Sequence, residues 1–391
     1  NKTASVKARD TSTISGNKVI PSTVVKNGTT TFYTVTAIDD NGFASASNLT
    51  KIIIPDSIIT VGETAFNASG LTSITVPDSV SSIGAGAFLE CTKLTSVSLG
   101  NGIETIPWAC FGDCSLLSSL TISSSVKRIE EGIISGTAIK NIVIPNNVET
   151  LEPSAFRNTN LENITLGTGI TQIPESCFLA SPKLKSITIP SNVVSIGSGA
   201  FHVTVLTSAT FANPVGWKAG DYSIYLGVPS QNAQYLVKDY LDVTWTRSEA
   251  DELFTFTFNS ADKTASVKAR DASTISGKIA IPGLALNNGT TYTVTALDEK
   301  SFANATNLIG VMIPNTITTI GEKSFYACTG LESVKFDSNI HLSTLPLGVF
   351  AKCSSLTSIT IPNSVTTIGA SALQYTGGTA QSGSRCSRPS R

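Results

Sequence analysis

Cysteine, histidine and serine are the side chains here that could ligate a metal or attack a carbonyl, and their spacing suits neither task. The chain carries seven cysteines and two histidines. A structural zinc site draws its ligands from closely spaced pairs, yet no C-x2-C occurs and Cys110-x3-Cys114 has no second pair to match it. His202 and His341 each stand alone in their stretch of sequence, which fits a surface or turn role. The serine-rich run Ser115-Leu-Leu-Ser-Ser119 has no base at a useful spacing to activate a nucleophile. Phosphate-loop, dinucleotide and G-x-S-x-G fingerprints are absent. The chain is therefore expected not to be an enzyme and to carry no cofactor and no metal.

The cysteines keep step with something else. Phe43, Phe66, Phe88, Phe111, Phe156, Phe178 and Phe201 recur about every 23 residues, with Gly132-Ile133-Ile134 bridging the one double step. The beat resumes at Phe302, Phe325 and Phe350, and Leu373 takes the next slot. Cys91, Cys114, Cys328 and Cys353 each follow a periodic Phe by three residues, whereas Cys110 and Cys177 immediately precede one. Placement locked to a repeat phase predicts small buried fillers with free thiols. A disulfide framework suits small secreted domains and has no purpose in a long stacked core.

A period of this length is the signature of a solenoid, whose coils bury apolar surface only by stacking on their neighbours. One coil reads Leu71-Thr-Ser-Ile74-Thr-Val76-Pro77-Asp-Ser-Val80-Ser-Ser-Ile83-Gly84-Ala-Gly-Ala87-Phe88-Leu-Glu-Cys91. A strand should turn Leu71, Ile74 and Val76 inward until Pro77, with no amide hydrogen, ends its ladder. Val80 and Ile83 begin a second apolar stretch, and Ala87-Phe88 closes the coil. The predicted fold is a β-rich solenoid with little helix, in two tandem modules.

The modules follow from a longer duplication. Lys2-Thr-Ala-Ser-Val-Lys-Ala-Arg-Asp10 returns unchanged as Lys263–Asp271. Tyr33-Thr-Val-Thr-Ala37 returns as Tyr292–Ala296. The expected order is a β leader over 1–40, repeats over 41–211, an aromatic-rich cap over 212–250, a second leader over 251–297, repeats over 298–373 and a disordered tail over 374–391. The alternating Leu253-Phe-Thr-Phe-Thr-Phe258 precedes the second leader and has no counterpart ahead of Asn1, so the first leader is expected to lack its first strand.

Ile361-Pro-Asn-Ser-Val365-Thr-Thr-Ile368-Gly369 and Ala87-Phe88-Leu-Glu-Cys91 closely resemble the BspA-like class of leucine-rich repeats. The resemblance covers most of 41–211 and 298–373. Val228-Pro-Ser-Gln-Asn-Ala-Gln-Tyr235 is similar to the terminal cap of such arrays. The resemblance implies a secreted or bacterial cell-surface protein, an adhesin toward host extracellular-matrix or plasma macromolecules. A glycan- or mucin-binding module of a gut bacterium and a structural spacer are its alternatives. The family supplies no catalytic motif and no fixed binding residues to carry over.

Composition agrees with a non-electrostatic binder. Only 14% of residues are charged and the net charge is -1, so no footprint for nucleic acid or anionic membrane is present. No run approaches the roughly 20 apolar residues of a membrane span, and any export signal or anchor is expected to lie outside this sequence. Two surfaces remain as binding candidates. Ser73, Thr75, Ser96, Ser98, Thr121, Thr165 and Thr188 fall between inward strand positions and should form hydroxyl ladders, unless they simply solvate a strand face. Trp217, Tyr222 and Tyr225 could stack on a partner, unless they close the end of the array.

Overall fold

The computed structural model describes residues 2–214, 216–247, 253–288, 290–377 and 381–382. Its unit of construction is the coil read from the sequence. Leu71, Ile74, Val76, Val80, Ile83, Ala87 and Phe88 are all buried. Ser73–Val76 pairs parallel with Ser96–Leu99, Ile74 opposite Val97 and Val76 opposite Leu99, and that strand pairs in turn with Ser119–Thr121. The second stretch makes a two-residue strand, Ser82–Ile83, parallel to Thr60–Val61.

The bend that carries the aromatic is not a strand, yet it is bonded from coil to coil. The Phe88 amide donates to the Cys110 carbonyl at 3.0 Å, flanked by Gly86 to Trp108 and Glu90 to Gly112, each at 2.8 Å. The same bond recurs from Phe43 to Ala65, Phe156 to Cys177, Phe325 to Val349 and Phe350 to Ala372. Presenting alternate amides to the next coil requires a left-handed residue two positions before and two after each aromatic slot. Gly86 and Glu90 take φ of 59° and 58°, and the pattern holds from Asn41 and Ser45 to Ser371 and Tyr375. Such a conformation costs a non-glycine residue about 1–2 kcal/mol, and the intercoil bonds offset it.

Within each unit, stacked bends bring the rings into a column. Neighbouring Phe centroids lie 5.2–5.8 Å apart with planes 3–20° from parallel. Ile134 fills the slot between Phe111 and Phe156 and is fully buried. All described cysteines are buried and unbridged; the seventh, Cys386, lies outside the described residues. The thiols three residues after a Phe donate back to the previous coil, Cys91 Sγ to the Phe66 carbonyl and Cys114 Sγ to Phe88, both at 3.1 Å. Ser181 makes the same contact to Phe156 at 3.1 Å, so this slot selects a small donor rather than sulfur itself.

The chain divides into two compact units, Asn1–Asn213 with Ala233–Thr244, and Pro214–Asn232 with Trp245–Arg391. In the first, Thr3–Val6 pairs parallel with Phe32–Ile38, which continues into Thr60–Val61, while Gly16–Val19 pairs with Leu49–Ile53. The second repeats this plan with Thr264–Ala269 on Thr290–Leu297 and Ser276–Ala280 on Asn307–Ile313. The segments expected as separate leaders therefore add strands to the repeats' own ladders.

The aromatic-rich stretch expected as one cap over 212–250 is divided between the units. Within the second unit, Trp217–Ala219 pairs antiparallel with both Trp245–Arg247 and Tyr222–Ser223, and Tyr222–Ser223 runs parallel to Ser276–Ala280. These backbone ladders tie the two tryptophans to the second unit's sheet. A short α-helix, Pro229–Gln234, runs into a π-helical turn, Tyr235–Asp239. The tail expected to be disordered falls largely outside the described residues, although Gln381–Ser382 pairs with Thr360–Ile361.

The ring column is expected to dominate stability locally. Phe156→Ala removes a fully buried ring 5.8 Å from Phe178 and should cost about 3–5 kcal/mol. Urea unfolding of the two proteins checks this, and a midpoint shift worth under about 1 kcal/mol would exclude a packed column.

Candidate binding surface

The inward residues of the long strands leave their neighbours pointing at solvent, so parallel pairing sets side chains of adjacent coils directly side by side. Ser73, Ser96 and Ser119 align in one column, and Thr75, Ser98 and Thr121 in the next. Further along, Asn141 faces Asn163 and Val143 faces Thr165, then Ser186 faces Ser208 and Thr188 faces Thr210. Coil spacing along such a column is about 4.8 Å. Ser73 is half-buried, whereas Thr75, Ser96, Ser98, Thr121, Thr165 and Thr188 are exposed.

The structure thus brings the predicted hydroxyl residues of the first unit onto one face. It also distinguishes columns by how their polar groups are used. Thr95 and Thr207 turn their hydroxyls back to the carbonyls of Thr72 and Lys185. Among the described residues, the hydroxyls of Thr75, Ser98, Thr121, Thr165 and Thr188 meet no protein partner. Their hydrogen-bonding capacity faces water, or whatever replaces water. Val143, exposed in the same column, interrupts the row with a methyl pair.

The aromatic candidates behave differently. Trp217 is only 1% exposed and meets Trp245 edge-on at 6.5 Å, so of the two readings offered for it, stacking surface or end closure, burial removes the stacking surface. Antiparallel pairing of its strand on both sides encloses it. Tyr222 is half-buried under the Lys278 ammonium, 5.9 Å from the ring centre, and Lys278 is held by Asp221 at 2.8 Å. That hydrogen bond lowers the Asp221 carboxyl from its ordinary value. Tyr225 packs on Phe256 with centroids 5.2 Å apart. Tyr235 and Tyr240 are buried as well.

The exposed indole is one that sequence reasoning passed over. Trp108 is 44% exposed and sits three residues before Phe111. The same slot holds Asp40, Glu63, Glu131, Glu175, Glu299 and Glu322 in other coils, and also Ala85, Pro153, Ser198 and Leu347. Its backbone N–H donates to the Glu130 carboxylate at 2.9 Å. Aligning the slots would have drawn attention to it as the one aromatic at a position that is acidic in six coils.

The residues with potential metal or nucleophile chemistry are dispersed. His202 and His341 are exposed, each in its own coil. Among the described residues, no three His, Cys, Asp or Glu side chains gather as a metal site would require, and no helix is long and apolar enough to cross a membrane. Burial pushes the Cys110 and Cys177 thiols up from their ordinary value, which keeps them protonated and poorly nucleophilic.

The raised thiols predict an alkaline weakness. Above the ordinary thiol pKa of about 8.5, the unfolded chain gives up protons that the folded chain retains, so stability falls as pH rises. The slope is up to about 1.4 kcal/mol per pH unit for each thiol. Replacing both Cys110 and Cys177 by Ala should flatten the decline between pH 8 and 10; parallel declines in variant and parent would refute the assignment.

Comparison with known proteins places these features in context. A family model described as BspA type leucine rich repeat region matches in six copies, over residues 22–137, 110–219 and 285–380. A leucine-rich cell surface protein of Faecalibacterium prausnitzii is similar in structure at 23% identity over 92% of this chain and 78% of that one, with a TM-score of 0.41. A leucine-rich repeat protein of Bacteroides capillosus shows 29% identity over 34% of this chain and 97% of that one, TM-score 0.31. The T. pallidum leucine-rich repeat protein shows 20% identity over 51% and 79%, TM-score 0.36. Among curated proteins, none matches significantly.

Proposed function

The chain belongs to the BspA-type leucine-rich-repeat family, and on that premise we propose that it is a non-enzymatic adhesion module at a bacterial surface. Its partner is a host extracellular-matrix or plasma protein, held along the long-strand face of the first unit. The observation that carries this reading is the row of exposed hydroxyls at Thr75, Ser98, Thr121, Thr165 and Thr188 that meet no protein partner. Backbone ladders fix these strands, so little ordering entropy opposes contact. Columns of neutral hydroxyls also fit recognition by many weak, well-placed hydrogen bonds rather than by steering.

Trp108 is a second candidate anchor, at the bend rather than on the long-strand face, since exposed tryptophan is enriched among residues that dominate interface energy. The glycan reading loses its strongest support, because it relied on Trp217 as an accessible ring. No sequence or structural feature favours a passive spacer over a binder, whereas unpartnered hydroxyls in register favour contact.

Fibronectin or fibrinogen capture by the intact chain is the direct test. The triple change Thr75→Lys, Thr121→Lys and Thr165→Lys places bulky charge along the column and should reduce capture at least about tenfold without loss of fold. A folded triple variant that captures as well as its parent would remove the hydroxyl face from consideration. Trp108→Ala should cost about 1–3 kcal/mol of binding energy if the indole is an anchor, read by surface plasmon resonance with the same ligand.

A further inference from the structure

The phenylalanine period holds at 23 from Phe302 to Phe325 and widens to 25 from Phe325 to Phe350. The two extra residues are His341 and Leu342, set between Ile340 and Ser343 where other coils run straight from Val80 to Ser81 or from Val365 to Thr366. Asp337 also stands where Pro77, Pro314 and Pro362 end the strand in other coils. The chain accommodates the insertion by turning Asn339 left-handed, with φ of 64°, a conformation that Ser79, Thr316 and Ser364 in the same slot do not take. Ile340 and Leu342 then both reach the core, while His341 stays exposed.

A cleft of about 440 Å³ opens beside this bulge, between its coil and the next. Its floor is apolar. Val334 and Phe336 are half-buried, whereas Val311 and Ile313, the same positions one coil earlier, are 1% and 0% exposed. Among the described residues, Ser333–Phe336 pairs with Asn307–Ile313 on one side and with no strand on the other. The next coil's Thr360–Ile361 pairs instead with Gln381–Ser382. Past the cleft the two coils rejoin, the Thr366 amide donating to Ser343 at 2.9 Å and Gly369 to Leu345 at 2.7 Å. The cleft therefore lies between two consecutive coils of the array.

The turns have parted as well. Ser79 and Ser125, in the slot of Ser364, donate to the carbonyls of Ile58 and Ile103 in the coil before, at 2.8 and 2.7 Å. For Ser364 the matching carbonyl belongs to Ile340, within the bulge, and its hydroxyl is buried with no protein partner. Ser57 and Thr316 share that lack, each in the first coil after a leader.

The rim of the cleft is polar, with Asp337 and Asn339 on one side and Asn363 on the other. One carboxylate is too few for a calcium site, which takes about 6–8 oxygens. Lys335 offsets Asp337, so the lining favours neither a cation nor an anion. Its volume falls within the roughly 300–1,000 Å³ of small-molecule sites, which pair an apolar surface with a few placed polar groups. A sugar ring has the matching form, one C–H face and a rim of hydroxyls.

We propose that this cleft binds a neutral hexopyranose, the C–H face of its ring on Phe336 and its hydroxyls toward Asp337, Asn339 and Asn363. The asparagine amides donate and accept, so they satisfy a hydroxyl in either role, and Asp337 accepts only. The site uses neither Trp217 nor the hydroxyl face of the first unit, and it does not rest on the protein partner proposed for that face.

The probes are the methyl glycosides of glucose, galactose and N-acetylglucosamine, titrated against the intact chain by saturation-transfer-difference NMR. At least one should saturate, with a Kd of about 1 mM for a ligand of this size, and transfer should be strongest at protons of one ring face. Sorbitol, which carries hydroxyls but no ring face, should give no saturable transfer. Asp337→Ala with Asn339→Gly removes two rim groups at exposed positions, and glycine keeps the left-handed backbone. This double variant should weaken binding at least about tenfold, while circular dichroism and the urea midpoint stay those of the parent. Sorbitol transfer equal to that of the glycosides, unchanged binding in the double variant, or no saturable glycoside would each overturn the proposal. Capture of enzymatically deglycosylated fibronectin that the double variant loses would also overturn it, by assigning the cleft to a peptide.

Discussion

Everything in this molecule depends on the backbone hydrogen bond that passes from one coil to the next at the bend. Two strands per coil would stack without it, but the bend is where the bulky aromatic must sit. The bonds from Phe66 to Ala87 and from Phe88 to Cys110 hold the bends at a strand-like spacing. Rings attached at that spacing have one economical arrangement, offset and nearly parallel. The residues around them follow: mostly Ala, Cys or Ser directly before the Phe, and mostly Cys, Ser or Thr three residues later, where the donors of Cys91 and Ser181 reach the previous Phe carbonyl.

That constraint also makes the outer face what it is. Coils fixed in parallel register cannot stagger their side chains, so a Thr repeated in sequence becomes a column in space. The face is ordered by the core beneath it, and its chemistry is free to vary because no core contact depends on it. Val143 beside Thr165, and Trp108 at a bend position that Glu63, Ala85 and Glu131 fill in other coils, show that freedom. Exposed ion pairs such as Arg128 with Glu152 at 3.0 Å add little to stability, each worth about 0–1 kcal/mol, and leave the ladders as the source of rigidity.

The inward half of the coil was legible in the sequence because burial demands a residue type. Leu71, Ile74, Val76 and Phe88 advertise a period, and the cysteines advertise a phase. The left-handed positions were not legible. They hold Asn41, Ala109, Glu90, Lys323 and even the β-branched Val203, since intercoil bonding imposes the conformation on whatever residue is present. The tryptophans left two readings open, stacking surface or end closure, for a related reason. Sequence gives the number of large rings but not which strand edges will close over them, and Trp217 is enclosed by pairing with Trp245–Arg247, a segment 28 or more residues away. The hydroxyl face was located by alternation alone, because strand pairing preserves alternation.

A ladder built of identical parallel bonds has no natural end, so closing it takes a strand of a different kind. Within the column each edge is satisfied by the next coil. At the first long strand of the second unit, Thr264–Ala269, the same groups point outward, and Phe254–Asn259 meets them by running antiparallel. Its rings also extend the aromatic packing past Phe302. The reversal of direction and the change from aliphatic to aromatic side chains occur together, because a strand that no further coil covers must bury the end of the core with its own bulk. The interaction that stabilises the interior therefore also dictates what can terminate it.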